Sequence, residues 1–204
     1  MFGSSVPHTS NVEAVRSYLR EKNDRGIVFR PTEEQIERIN QTHREMNDLL
    51  SRYDISPPPE GWQGIRTRCS YNQPTETPSL KGDKWTSPTA NDNHFAKANA
   101  ARLVFINSFR EVVEPCINEK EYDIIYRPTS IESGMHQHDP RSSRFYTFAL
   151  DGHYATEYPG LFKNKATPRN NMLCFGGDFW HSSPQAANPE ERPFIVAQSP
   201  SLQQ

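Results

Sequence analysis

The property that most limits what this chain can fold into is a change of texture near Tyr122. Before it, apolar residues recur with helical period: Val12, Val15 and Leu19, then Ile36, Ile39, Met46 and Leu50, then Ala98, Ala101, Phe105, Phe109 and Val112 across 94–114. After it, the chain breaks into short β runs, YDIIYRP, SRFYTFAL, HYATEY, NMLCF and FIVAQ, separated by Gly, Pro and Asn clusters. Helices first and strands afterwards predict an α+β fold in which helices pack on an antiparallel barrel or sandwich.

Local signals place the helix ends. Ser10 is positioned to cap the first helix and Gly26 to stop it. Thr32 and Gln35 have the spacing of a capping box. His43 shares the apolar stripe of that second helix and reads as a helix-face residue rather than a ligand. Pro57-Pro58-Pro59 ends helical structure, and residues 62–71 alternate Ile65, Thr67, Cys69 and Tyr71 against polar neighbours, as a half-buried strand does. The polar stretch 72–93 has no period, and its length inside a compact domain marks either a functional lid, which Trp85 in its middle favours, or a disordered insert.

At 204 residues the chain is expected to form a single domain, 1–204, with helical support over 1–121 and a β core over 122–199. Its core must be economical, because only 34% of residues are hydrophobic and mean hydropathy is −0.84. A net charge of −2 with interspersed signs gives no basic face for nucleic acid, and Arg66-Thr67-Arg68 reads as a solvated strand face. Cys69, Cys116 and Cys174 are odd in number and widely spaced, which fits reduced thiols in the cytoplasm rather than disulfides or a thiolate zinc site. The opening MFGSSVPHTSN lacks the pattern of a signal peptide, and no apolar run reaches the roughly 20 residues that cross a bilayer. The expectation is a soluble intracellular protein.

Four of the seven histidines fall within 46 residues. In His136-Gln137-His138 a strand end would put both rings on one sheet face, because side chains alternate along a strand. Chance alone yields about 0.24 such pairs in a chain of this composition, so the pair means little without His181, 45 residues after the first. Three imidazoles of this kind can cap one face of an octahedral ion and leave the other positions open to substrate and oxygen. His153 reads more simply as a solvated strand residue, Cys174 as a small apolar one, and Trp180 as a wall of the site or a core residue.

The order Tyr126-Arg127-Pro128, His136, Phe175, His181, Arg192 resembles the double-stranded β-helix (jelly-roll) core of the Fe(II)- and 2-oxoglutarate-dependent oxygenases, above all their short prolyl-hydroxylase-like members. The resemblance covers Tyr122 to Ser199; the first 120 residues match only in being helical. It implies Fe(II) as metal and 2-oxoglutarate as cosubstrate. Arg192, at the start of FIVAQ, would hold the distal carboxylate bidentately, its alternative being a surface loop cation, and Tyr126 would place its hydroxyl beside that carboxylate or pack in the core.

One position departs from the family. Two residues after the first histidine the family has a carboxylate, and here stands His138. Three ligand sets remain open at this point: His136, His138 and His181; Asp139 in place of His138; or the two outer histidines alone. Strand alternation favours His138 over Asp139. The implied reaction consumes O2 and 2-oxoglutarate, releases succinate and CO2, and hydroxylates a small-molecule or peptide substrate. The alternatives are a cupin-like three-histidine dioxygenase that needs no keto acid, and a non-catalytic β-barrel whose histidines bind zinc. The usual cupin glutamate is absent, since Ser142 and Ser143 stand where it would be.

Overall fold

The computed structural model describes residues 6–20, 24–58, 64–75, 79–128, 134–138, 144–152, 156–160, 162–183 and 193–199. Its elements run β1 (His8–Thr9), α1 (Val12–Arg20), β2 (Gly26–Phe29), α2 (Glu33–Arg52), β3 (Ile65–Ser70), α3 (Asp92–Val113), β4 (Glu121–Arg127), β5 (Arg144–Ala149), β6 (Glu157–Tyr158), β7 (Lys165–Ala166), β8 (Met172–Gly176) and β9 (Phe194–Ser199). The fold is mixed, with helices beside a large and mostly antiparallel sheet.

Side-chain caps fix where the helices begin. The α1 cap is Asn11, whose Oδ1 accepts from the Glu13 and Ala14 amides, one residue later than Ser10. At α2 the Thr32–Gln35 capping box forms in both directions. A second box, Asn91 with His94, starts α3 at Asp92, and the His94 ring stacks on Tyr53 with centroids 4.2 Å apart. Each such cap contributes about 1 kcal/mol, because it satisfies amides that no helical carbonyl can reach.

Among the described residues seven strands form one sheet in the order β1-β2-β8-β5-β9-β4-β3, antiparallel except for the β1–β2 pair. It is open, with β1 and β3 at its edges, and no closed barrel forms among the described residues. Gly26 does not stop a helix; it opens β2, a buried strand that extends the sheet beyond β8. Strand β3 ends at Ser70, and Tyr71 beyond it is exposed. Arg66 and Arg68 do form a solvated face, paired with Asp123 and Glu121 across the β3–β4 ladder.

The two faces of the sheet do different work. Ile27, Phe29, Ile124, Tyr126, Tyr146, Phe148, Met172, Cys174, Ile195 and Ala197 pack with the helices in the main core. Their neighbours in sequence, Val28, Phe145, Leu173, Phe175 and Val196, form a second cluster on the other face with Tyr158 and Phe179. A small layer covers part of that second face. It is built from short antiparallel pairings in the order 136, 181–182, 157–158 and 165–166. Of the expected strand HYATEY, only Glu157–Tyr158 appears as a strand, and 153–155 lie outside the described residues.

The described residues of the stretch 72–93 are anchored on the helix side of the sheet. Leu80 and Trp85 are buried in the helix-side core, Thr86 bridges to Ser56, and Asp83 pairs with the buried Arg102 of α3 at 2.7 Å. Arg110 secures the start of the same stretch, donating to the Gln73 and Ser70 carbonyls, to Tyr122 Oη and to Glu114. Apolar burial of Trp85 holds the loop to the helices.

Candidate metal centre

Two backbone segments, 134–138 and 177–182, frame the site. The His136 amide donates to the His181 carbonyl at 2.9 Å, and the His181 amide returns the bond at 3.0 Å. Residues that exchange both bonds in an antiparallel pair carry their side chains to the same side. The His138 amide donates to Gly177 O at 2.8 Å, and the Gln137 side-chain amide donates to Asp178 O, which ties the rest of the first segment down.

His136, His138 and His181 converge, with one ligand nitrogen from each lying within 4.8 Å of the other two. His181 Nδ1 donates to Phe179 O at 3.0 Å and His136 Nδ1 to Gly134 O at 2.8 Å. Each bond places the proton on Nδ1 and leaves the Nε2 lone pair free for an ion. His138 Nε2 lies 3.2 Å from His181 Nε2. Without a metal, His138 donates its Nε2 proton to the His181 lone pair. A bound ion would take that place, with the His138 proton carried on Nδ1 instead.

The donor set fits a divalent transition metal. Two bonds of about 2.0–2.1 Å together exceed the 3.2 Å between the two Nε2 atoms, so one ion can reach both. Burial pushes the His181 pKa down to about 4, helped by the neighbouring His136 and His138 and opposed by the Phe179 hydrogen bond. His138 is also lowered, first by burial and then by His136. Both imidazoles are therefore neutral near pH 7, the form that binds metals. Among the described residues no carboxylate joins the group.

Aromatic rings back the cluster. His138 stacks on Phe145 with centroids 4.2 Å apart and planes 25° from parallel, and His181 lies 4.4 Å from Phe175. Phe145 and Phe175 are direct partners across the β5–β8 ladder and stand on the face of the sheet away from the helices. On that face Ile125, Thr147, Phe194 and Gln198 are only half-buried. No periodicity in the sequence singled out Phe145 or Phe175 as backing for the histidines; the alternation of SRFYTFAL against NMLCF could have paired them.

Tyr126 does not join the three histidines. It belongs to the helix-facing row of β4, where its hydroxyl meets His43 Nε2 at 3.0 Å and Asn47 Oδ1 at 3.4 Å. Period-two alternation sets this outcome, since Tyr122, Ile124 and Tyr126 share the face covered by α2 and α3. Trp180 is half-exposed and so is not a core residue; Phe179 is the buried aromatic beside His181. Cys174 is fully buried on the helix side, a small apolar residue as expected, and all three cysteines are free. Arg192, Asp139 and His153 lie outside the described residues.

His43 has more partners than its place in a stripe suggested. Its Nδ1 meets Asp151 Oδ2 at 2.9 Å, and Asn47 Nδ2 reaches its Nε2 at 3.0 Å. Asp151 sits at φ 53° and is held by Arg44 and by the Asn40 side chain. The network joins α2 to the turn after β5 and to Tyr126, so its role is to fix helices on sheet.

No protein-family model matches the sequence, and no curated protein does. Solved structures similar to this chain include a 2OG-Fe(II) oxygenase family oxidoreductase from Burkholderia pseudomallei, 12% identical, covering 96% of this chain and 95% of its own, with a TM-score of 0.45. A prolyl-4-hydroxylase from Pseudomonas putida is 12% identical over 93% of this chain and 98% of its own, with a TM-score of 0.46. AviO1 from Streptomyces viridochromogenes is 12% identical over 96% of this chain and 98% of its own, with a TM-score of 0.46.

Proposed function

We propose that this protein is a non-haem iron oxygenase that uses 2-oxoglutarate and O2 to hydroxylate a small-molecule or peptide substrate. The observation that carries the reading is the convergence of His136, His138 and His181, from two separate segments, behind an aromatic wall. The order of Tyr-Arg-Pro, first histidine, distal histidine and arginine in the sequence supports the same reading. A jelly-roll core accounts for the large sheet with a short antiparallel layer on its far face.

The three histidines would hold Fe(II), which when bound supplies the redox chemistry that O2 activation needs. His136 and His181 keep their Nε2 lone pairs directed inward through bonds to Gly134 O and Phe179 O. Phe145 and Phe175 keep water from that side of the cluster. Arg192, just before β9, is the cation proposed to hold the distal carboxylate of the keto acid.

A second reading is favoured by the all-imidazole donor set. Three neutral ligands suit zinc as well as iron, and a zinc protein would have no oxygenase activity. Metal analysis after anaerobic purification, followed by measurement of succinate formation from 2-oxoglutarate with and without candidate substrates, separates the two. Iron-dependent succinate release is expected, with a sharply raised KM for 2-oxoglutarate in Arg192→Ala. Stoichiometric zinc and no turnover in iron-reconstituted protein would sink the oxygenase reading.

A further inference from the structure

We infer that Phe145 is the positioning residue that makes His138 a metal ligand. The inference rests on the metal-site reading and goes one step beyond it. The three imidazoles are not held in the same way. His136 and His181 each have Nδ1 tied to a backbone carbonyl, which fixes both tautomer and ring rotation. Among the described residues His138 has no such bond at Nδ1; its ring is hydrogen-bonded there through Nε2, the atom that must face the ion.

What holds the His138 plane is a stack. His138, Phe145 and Phe175 lie nearly parallel, at 25° and 4.2 Å for the first pair and 17° and 5.2 Å for the second. Phe145 is buried and set in β5, near the centre of the sheet, with ladder partners on both sides. A flat ring fixed by the sheet limits rotation of the imidazole lying on it, as a carbonyl does for the other two. This is the service a hydrogen-bonded second residue performs for most metal-bound histidines, here supplied by an aromatic face. The position two residues after the first histidine can thereby carry an imidazole.

The test uses Co(II), whose visible spectrum reports ligand number and geometry without turnover. Metal-free protein is titrated anaerobically as wild type, Phe145→Leu, Phe145→Tyr, His138→Ala and the double variant Phe145→Leu/His138→Ala. Wild type should bind one Co(II) per chain. Phe145→Leu and His138→Ala should each weaken binding about tenfold or more and give the same altered spectrum. The double variant should be no worse than either, because both changes remove one ligand, and Phe145→Tyr, which keeps the ring, should bind like wild type.

Losses that multiply in the double variant, or an unchanged spectrum in a folded Phe145→Leu protein, would overturn the inference. A second measurement needs no variant. In metal-free wild-type protein the His138 ring protons should show an upfield NMR shift from the Phe145 ring current. Their resonance at the position of an unstacked histidine would overturn it equally. Failure of wild type to bind Co(II) at all overturns the metal reading instead.

Discussion

At the scale of single residues, the chemistry of the proposed metal site turns on position 138. An imidazole there gives a neutral donor set, whereas a carboxylate would add a charged oxygen at the same place. His138→Asp should hold Fe(II) at least as tightly as wild type, and His138→Ala should lose about 10–100-fold in affinity. Asp139→Ala should change little. Anaerobic Fe(II) titration checks all three, and the reverse order of the two alanine variants would make Asp139 the ligand. Tyr126 gives a second prediction. Because its hydroxyl serves His43 and Asn47 on the helix side, Tyr126→Phe should lower stability by about 1 kcal/mol and leave the KM for 2-oxoglutarate unchanged. A raised KM with unaltered stability would return Tyr126 to the site.

At the scale of elements, what was legible in the sequence depended on whether one face of an element meets water. Helices α2 and α3 and strands β3 and β4 are each buried on one side, so their periods show. Strand β2 is the contrary case. All four residues of GIVF are buried or nearly so, so no alternation marks it, and its Gly26 reads as a stop signal. The three histidines were legible because their spacing carries chemistry. The placement of Tyr126 was not, since which face of β4 meets the helices is settled only when α2 and α3 dock. The loop 79–91 misleads for a related reason, since its polar composition hides two buried anchors, Leu80 and Trp85. Trp85→Ala should therefore cost about 3–5 kcal/mol, read as a fall in the urea midpoint. A change in KM at constant stability would show the loop acting as a lid after all.

At the scale of the whole molecule, no described helix is long and apolar enough to cross a membrane, and stability is tied to neutral imidazoles on both faces of the sheet. His43, His138 and His181 all titrate below the ordinary 6.5 when folded, each chiefly because burial penalises the imidazolium. Above that pH both folded and unfolded chains keep these rings neutral, and no stability is lost. As pH falls below 6.5, the unfolded chain takes up protons that the folded chain refuses, so stability drops. For His181 the loss is complete once pH passes about 4. The urea midpoint of the metal-free protein should fall between about pH 7 and pH 4.5. A flat profile over that range would show that the histidines are not buried as described.

The alternation of the sheet also has a bearing on how such a protein can change over generations. Along β5, Tyr146 and Phe148 answer to the helices while Phe145 answers to the histidines. Neighbouring codons therefore face separate selective pressures. Substitutions in one register can drift towards new chemistry while the other register preserves the ability to fold. A single-residue insertion within such a strand, by contrast, exchanges the two sets at once. Point substitution is thus the open evolutionary route through this sheet, and insertion within its strands is the closed one.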